Sequence, residues 1–256
     1  MILVHTLAFN LFTEVEKATQ DLYEQCGGQF DKHIIADVGF PIFEDKLPKS
    51  VLEAQETNSV LLQGLAKKFG SEYVKIDNIG VSQNWNQVIM HSQIESGCVI
   101  CADPDERTKT KGWVKAIADV FEAQPRMAWV SLNTEAHEKL AQNGGLLHHK
   151  AKYGHDVYSV NGCSNWAQGG FNMDFLNEIG GVPVPNGGNS IYGWLEHASY
   201  QRMAGRWGWC ILKDFYVEHT ENSTLYREWK NYVVFEKPKE QVSFADYLIN
   251  VKGVKP

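Results

Sequence analysis

Residues 77–86 read Asp77-Asn78-Ile79-Gly80-Val81-Ser82-Gln83-Asn84-Trp85-Asn86, and residues 96–105 read Ser96-Gly97-Cys98-Val99-Ile100-Cys101-Ala102-Asp103-Pro104-Asp105. Between them, Gln83 to Gln93 has helical spacing. Cys98 to Ala102 is an apolar run of strand length that closes on two acids. Asp103 and Asp105 are two residues apart, so on an extended backbone their carboxylates point to one side. Pro104 biases Asp103 toward that extended shape. Two hard oxygen donors on one side suit Mg²⁺ or Mn²⁺, ions that keep positions open for substrate phosphates. Alone the motif is weak, because 12 Asp among 256 residues make an Asp-x-Asp unremarkable by chance. A solvated turn after a strand is the competing reading.

Working outward, Ile2-Leu3-Val4 reads as a first strand. Thr13 to Gln25 reads as an amphipathic helix with Val15, Ala18 and Leu22 inward, ended by Gly27-Gly28. His33 to Asp37 is a second strand, Ser59 to Phe69 a helix ended by Gly70, Tyr73 to Ile76 a third strand, and Lys111 to Phe121 a further helix. Alternation of strand and helix predicts an α/β domain with a largely parallel sheet. In such sheets ligands collect beyond the carboxyl ends of the strands. The expected ends are His5-Thr6, Asp37, Asp77-Asn78 and Asp103, and three of these carry an aspartate.

Composition sets the outer limits. Hydrophobic residues make up 43% and charged ones 21%, as in ordinary globular chains, and no Pro/Gly/Ser linker divides the sequence. The net charge of −7 excludes gripping nucleic acid by bulk charge, but not by a local basic groove. No apolar run approaches the roughly 20 residues of a membrane span. The start Met1-Ile2-Leu3-Val4-His5-Thr6 lacks a basic flank and a cleavage site, so no signal peptide and a cytoplasmic location are expected. Five cysteines, an odd and sparse set, suit reduced thiols. Cys98 and Cys101 have CxxC spacing, but on a strand they face opposite sides and cannot chelate one ion.

The second half is rich in Gly, Asn and Trp, including Asn165-Trp166, Gly169-Gly170 and Asn186-Gly187-Gly188-Asn189, the make-up of a loop-rich substrate face. A helix is expected from Trp194 to Ala204. A strand is expected from Trp209 to Glu218, ending in His219, which is either a metal ligand or a surface histidine. Trp166 and Trp194 are flat platforms for a sugar or base, or else core residues. His148-His149-Lys150-Ala151-Lys152-Tyr153-Gly154-His155 reads as a solvated loop, with a mobile loop touching a ligand as the alternative.

In order along the chain, Asn78, Gly80, Asn86, Gly97, Asp103 and Asp105 resemble the nucleotide-sugar-binding half of family-2-like glycosyltransferases with the GT-A fold. Leu7-Ala8-Phe9-Asn10 is similar to that family's Pro-x-Tyr-Asn loop, with Leu for Pro and Phe for Tyr. Trp194-Leu195-Glu196-His197-Ala198-Ser199-Tyr200-Gln201-Arg202 resembles its Trp-Glu-Asp-x-x-Leu-x-x-Arg segment, with Glu196 in place of the Asp that acts as base. Leu176-x-x-Ile179-Gly180-Gly181 resembles its Leu-x-x-x-Gly-Gly stretch.

The resemblance implies one Rossmann-like α/β domain over 1–256, with a central mixed, mostly parallel sheet flanked by helices. Residues 1–105 would form the nucleotide-sugar half, 106–219 the acceptor and catalytic half, and 220–256 a C-terminal extension. It implies a UDP-sugar donor bound by Thr6, Phe9, Asn10, Asp37, Asn78, Gly80, Asn86 and Asp103. Phe9 would wall the uracil and Asp37 would accept its N3–H. A Mn²⁺ or Mg²⁺ ion would sit on Asp105, Asp103 and His219. Glu196 would be the general base of an inverting transfer, with Trp166, Trp194 and Arg202 on the acceptor. The acceptor is expected to be soluble: a saccharide, a glycoconjugate or a hydroxymethylated DNA base. The DNA case would need Lys150, Lys152, Arg202 and Arg206 to form a basic groove. The alternatives are a nucleotidyltransferase, although Phe9-Asn10-Leu11-Phe12 is not its Gly-rich basic loop, and a non-catalytic sugar-nucleotide or carbohydrate-binding module.

Overall fold

The computed structural model describes residues 1–9, 12–39, 49–159, 168–183 and 206–219. Strand and helix alternate through the first half as expected. The elements there are β1 (Ile2–Ala8), α1 (Phe12–Cys26), β2 (Lys32–Asp37), α2 (Lys49–Phe69), β3 (Glu72–Lys75), α3 (Val81–Ser92) and β4 (Cys98–Cys101). The second half contributes β5 (Glu106–Thr108), α4 (Trp113–Ala123), β6 (Met127–Asn133), α5 (Glu135–Gln142) and β7 (Leu147–Lys152). It continues with β8 (His155–Ser159), β9 (Gly169–Asn172), α6 (Met173–Ile179) and β10 (Gly208–His219).

Two elements outrun their sequence signal. β1 extends past Val4 to Ala8, because its polar residues His5 and Thr6 are fully buried between neighbouring strands. α2 begins at Lys49 rather than Ser59. Before Ser59, Leu52, Glu53, Glu56 and Thr57 are exposed, so no buried apolar stripe marks that part of the helix.

The strands form one mixed sheet in the order β3-β2-β1-β4-β9-β6-β10-β8-β7, with β5 paired to the far end of β10. The four strands of the first half are mutually parallel. β9 enters antiparallel between β4 and β6, β10 runs parallel to β6, and the β7–β8 hairpin closes that side. Parallel pairing is therefore confined to the first half and to β6–β10.

Two stretches expected as loops are strands. A Cβ on Gly169 would lie 2.3 Å from the Val130 carbonyl oxygen, and one on Gly170 would lie 2.9 Å from that of Val99. The glycine pair thus marks close approach of three strands rather than a turn. The basic stretch His148 to His155 is the β7–β8 hairpin. Its inner residues Val157 and Tyr158 are buried, and His148 and His149 reach Asp156 and Ser159 across the ladder at 3.1 and 2.7 Å. As an exposed edge, β7 carries polar residues that block further pairing, which hides the strand period.

Helices cover both faces. On one side Val4, Cys98 and Ile100 pack with Leu22 and Cys26 of α1 and with Trp113, Ile117 and Val120 of α4. On the other, Leu3, Val99 and Cys101 pack with Trp85 and Val88 of α3, Phe175 of α6, and Trp129 and Phe171. Trp129 and Phe171 meet edge to face at 4.6 Å, an arrangement worth roughly 0.5–1.5 kcal/mol beyond burial. Cys98 and Cys101 thus lie in opposite layers, as strand alternation requires. Burial pushes the Cys98 thiol up to about 12 and the Cys101 thiol up as well, which suits inert core thiols rather than a chelate. No described helix is long and apolar enough to cross a membrane.

Gly97 opens β4 at φ +101, and a Cβ there would lie 2.0 Å from the Met1 carbonyl oxygen, which accepts the Cys98 N–H at 3.0 Å. Gly97→Ala is therefore expected to cost at least ~2 kcal/mol in denaturant unfolding, through both strain and the displaced start of β1.

Candidate functional site

Because β3, β2, β1 and β4 are parallel, their carboxyl ends bring Asp77-Asn78, Asp37, Phe9 and Asp103 to one end of the sheet. The acid pair itself is not extended. Residues 104–105 form a turn closed by the Glu106 N–H on the Asp103 carbonyl at 3.2 Å. Proline fits the second position of such a turn, and Asp105, at the third, is taken out of the extended line that would set the two carboxylates side by side.

Arg107 holds the turn shut. Its guanidinium donates to the carbonyls of Pro104 and Glu106, the latter at 2.9 Å. It also donates to the carbonyl and carboxylate of Glu14 on α1, at 3.1 and 2.9 Å. The two side chains are only 12% and 9% exposed. Asp103 Oδ1 accepts the Cys101 thiol at 3.0 Å, which fixes one carboxylate oxygen.

From this turn β5 runs antiparallel to β10, with His219 opposite Glu106, Glu218 opposite Arg107 and Val217 opposite Thr108. The pairing brings the backbone of His219, far away in sequence, beside Glu106, the residue after Asp105. Among the described side chains, which exclude that of His219, no three His, Cys, Asp or Glu stand as a metal-holding group. Asp103, Asp105 and His219 are of the donor types, two carboxylates and an imidazole, that Mn²⁺ or Mg²⁺ takes.

Asp37 ends β2 fully buried. Its Oδ2 accepts from Ser59 of α2 at 2.5 Å and from Tyr73 of β3 at 2.8 Å, while Oδ1 has no partner among the described residues. Burial, then the bond to Asp37, raises the Tyr73 hydroxyl above its usual value, so it stays a donor. Phe9 is half-buried on the α3-side core beside the end of β1. Thr6 sits two residues short of that end, buried, with its hydroxyl 3.2 Å from His33 Nε2. Asn10 lies outside the described residues.

The segment before α3 is held by its own side chains. Asn78 donates to the Gly39 carbonyl at 3.1 Å, and Asn84 bonds the Ile79 N–H and Asn78 Oδ1. Gly80 caps the helix at φ 112, ψ 154, a conformation only glycine adopts with ease. Asn86 faces the other way: its amide clasps the N–H and carbonyl of Val182 at 2.7 and 3.0 Å. The asparagine of one motif thus anchors the chain just past Gly180-Gly181 of the other.

Glu196, Trp166, Trp194 and Arg202 lie outside the described residues. Lys150 and Lys152 are exposed on β7. Arg206 precedes β10 at the opposite end of the sheet, paired at 3.2 Å with Glu178, so it does not join them in one groove. The sequence reasoning missed Ser59, Tyr73, Glu14 and Arg107. Only Arg107 carried a local signal, as a cation directly after the acidic turn.

No family model and no curated protein matches the sequence. Solved structures match the fold, which is the GT-A fold of glycosyltransferases. GalNAc-T7 with UDP, GalNAc and Mn²⁺ superposes with a TM-score of 0.59 at 10% identity, over 94% of this chain and 52% of that one. Glucosyl-3-phosphoglycerate synthase from Mycobacterium tuberculosis, with Mn²⁺, UDP and glucosyl-3-phosphoglycerate, gives 0.51 at 13%, over 90% and 75%. S. aureus TarS 1-349 with UDP-GlcNAc gives 0.51 at 11%, over 87% and 59%. The chain spans about half the length of GalNAc-T7 and three-fifths of TarS 1-349.

Proposed function

We propose that the chain is a metal-dependent glycosyltransferase that moves a sugar from a UDP-sugar to an acceptor hydroxyl, with inversion. The observation that carries this reading is the gathering of Asp37, Asp103, Asp105 and the His219 register at one sheet end of a GT-A fold. The Mn²⁺ and UDP in the GalNAc-T7 and glucosyl-3-phosphoglycerate synthase structures support it.

Asp103, Asp105 and His219 would hold the ion. When bound, Mn²⁺ or Mg²⁺ supplies positive charge where negative charge grows on the departing diphosphate. Asp37 and Phe9 orient the uracil, and the Asn78–Gly80 turn shapes the floor beside it. Glu196 removes the acceptor proton, the hydroxyl oxygen bonds to the anomeric carbon, and the bond from that carbon to UDP breaks. Saccharide or glycoconjugate acceptors are favoured over DNA, because Arg206, one of the four basic residues such a groove would need, is paired with Glu178 away from Lys150 and Lys152.

Saturating UDP with Mn²⁺ is expected to raise Tm, with a stabilisation of about 3 kcal/mol at 100-fold excess over Kd. Asp105→Ala should abolish that rise, and Glu196→Ala should lose turnover while retaining it. A wild-type chain whose Tm ignores UDP and Mn²⁺ would overturn the proposal.

A further inference from the structure

We infer that Ser59 and Tyr73 set the nucleobase specificity of the site by occupying one oxygen of Asp37. The inference rests on the nucleotide reading above. Asp37 is fully buried, and its two oxygens differ sharply. Oδ2 receives two hydroxyl donors, from Ser59 at 2.5 Å and Tyr73 at 2.8 Å, whereas Oδ1 meets no donor among the described residues. A buried carboxylate oxygen without a donor is costly, so Oδ1 marks the place for a ligand N–H.

That single unmet acceptor is selective. One free oxygen accepts one imino N–H, which uracil offers at N3. Guanine presents two adjacent donors, N1–H and the exocyclic amine, and a carboxylate recognises such a pair with both oxygens. With Oδ2 already taken by two hydroxyls, that two-point grip is closed. Cytosine carries a lone pair at N3, which would face a carboxylate oxygen. The two hydroxyls therefore turn a carboxylate that could serve guanine into one that serves uracil. Ser59 comes from α2 and Tyr73 from β3, so the orientation is locked from two sides of β2.

The experiment compares Kd values for UDP, CDP and GDP, each with Mn²⁺, in wild type, Ser59→Ala, Tyr73→Phe and Ser59→Thr, by isothermal titration calorimetry. Wild type should prefer UDP over GDP by ~100-fold or more. Ser59→Ala and Tyr73→Phe should each narrow that ratio about tenfold, chiefly by strengthening GDP, while Ser59→Thr keeps the hydroxyl and the ratio. A purely structural role would weaken all three nucleotides together and leave the ratio fixed, which would overturn the inference. If Tyr73→Phe does not fold, Ser59→Ala carries the same comparison with Tyr73 intact. Failure of wild type to bind any of the three would overturn the nucleotide reading itself. UDP binding with an unmoved ratio would overturn only the role of the two hydroxyls.

Discussion

Arg107→Ala is expected to destabilise the protein by about 2–3 kcal/mol and to abolish the Mn²⁺-dependent response to UDP. The guanidinium is the shared donor for Pro104, Glu106 and Glu14, so its loss strips two turn carbonyls of a partner and takes from the buried Glu14 carboxylate its nearer cation, leaving Lys17 at 3.7 Å. The second deficit is the larger, since a hydrogen bond to a charged group is worth more than one between neutral groups. The Asp103–Asp105 turn would also be free of α1. Arg107→Lys keeps the charge but cannot span both carbonyls and the carboxylate, so an intermediate loss is expected. Denaturant unfolding and UDP–Mn²⁺ titration of both variants check this. Breaking the exposed pair Lys139–Glu135 should change neither quantity. An Arg107→Ala protein with wild-type stability would remove the latch from the account.

Acidification is expected to destabilise the protein before most of its carboxylates titrate. Burial holds both His5 and His33 at about 3, against an ordinary 6.5, and for His5 the nearby His33 adds to the effect. Both are neutral in the folded state, and the unfolded chain takes up their protons first. The stability they permit is therefore complete above pH 6.5 and is lost progressively as pH falls toward 3. The slope approaches about 1.4 kcal/mol per pH unit for each histidine, so about 3 kcal/mol should disappear between pH 6.5 and pH 5. His33 is hydrogen-bonded to Thr6 and Ser71, at 3.2 and 2.8 Å. His5 lies edge-on to Trp85 at 4.3 Å, and neither ring nitrogen has a partner among the described residues. His5→Leu should halve the slope between pH 5 and 6.5. A flat profile in wild type would mean that these rings reach solvent.

The first half of the fold was legible because each of its features is local. Asp37 closes an apolar run, the Asn78–Gly80 turn opens a helix, and β4 ends on its acid pair. β9 was illegible because Gly169-Gly170 is a steric requirement of strands drawn from elsewhere in the chain. β7 was illegible because an edge strand has no buried face to pattern. β6 was missed although nothing conceals it: Met127–Asn133 is buried throughout. In the site, the individual acids could be read, but their holders could not. Arg107 meets Glu14 and Asp37 meets Tyr73 across long stretches of chain, and one sequence contains no term that pairs them.

The insertion of β9 between β4 and β6 has a consequence for the protein while it is being made. Cys98–Cys101 pairs with β1 on one side and with Gly169–Asn172 on the other. The second partner is synthesised about 70 residues later, several seconds at ~5–20 residues per second. During that interval a four-stranded parallel sheet, otherwise ready to collapse, presents an apolar edge with its hydrogen bonds unspent. That nascent edge, absent from the finished molecule, is where a growing chain is most open to pairing with its neighbours on the polysome.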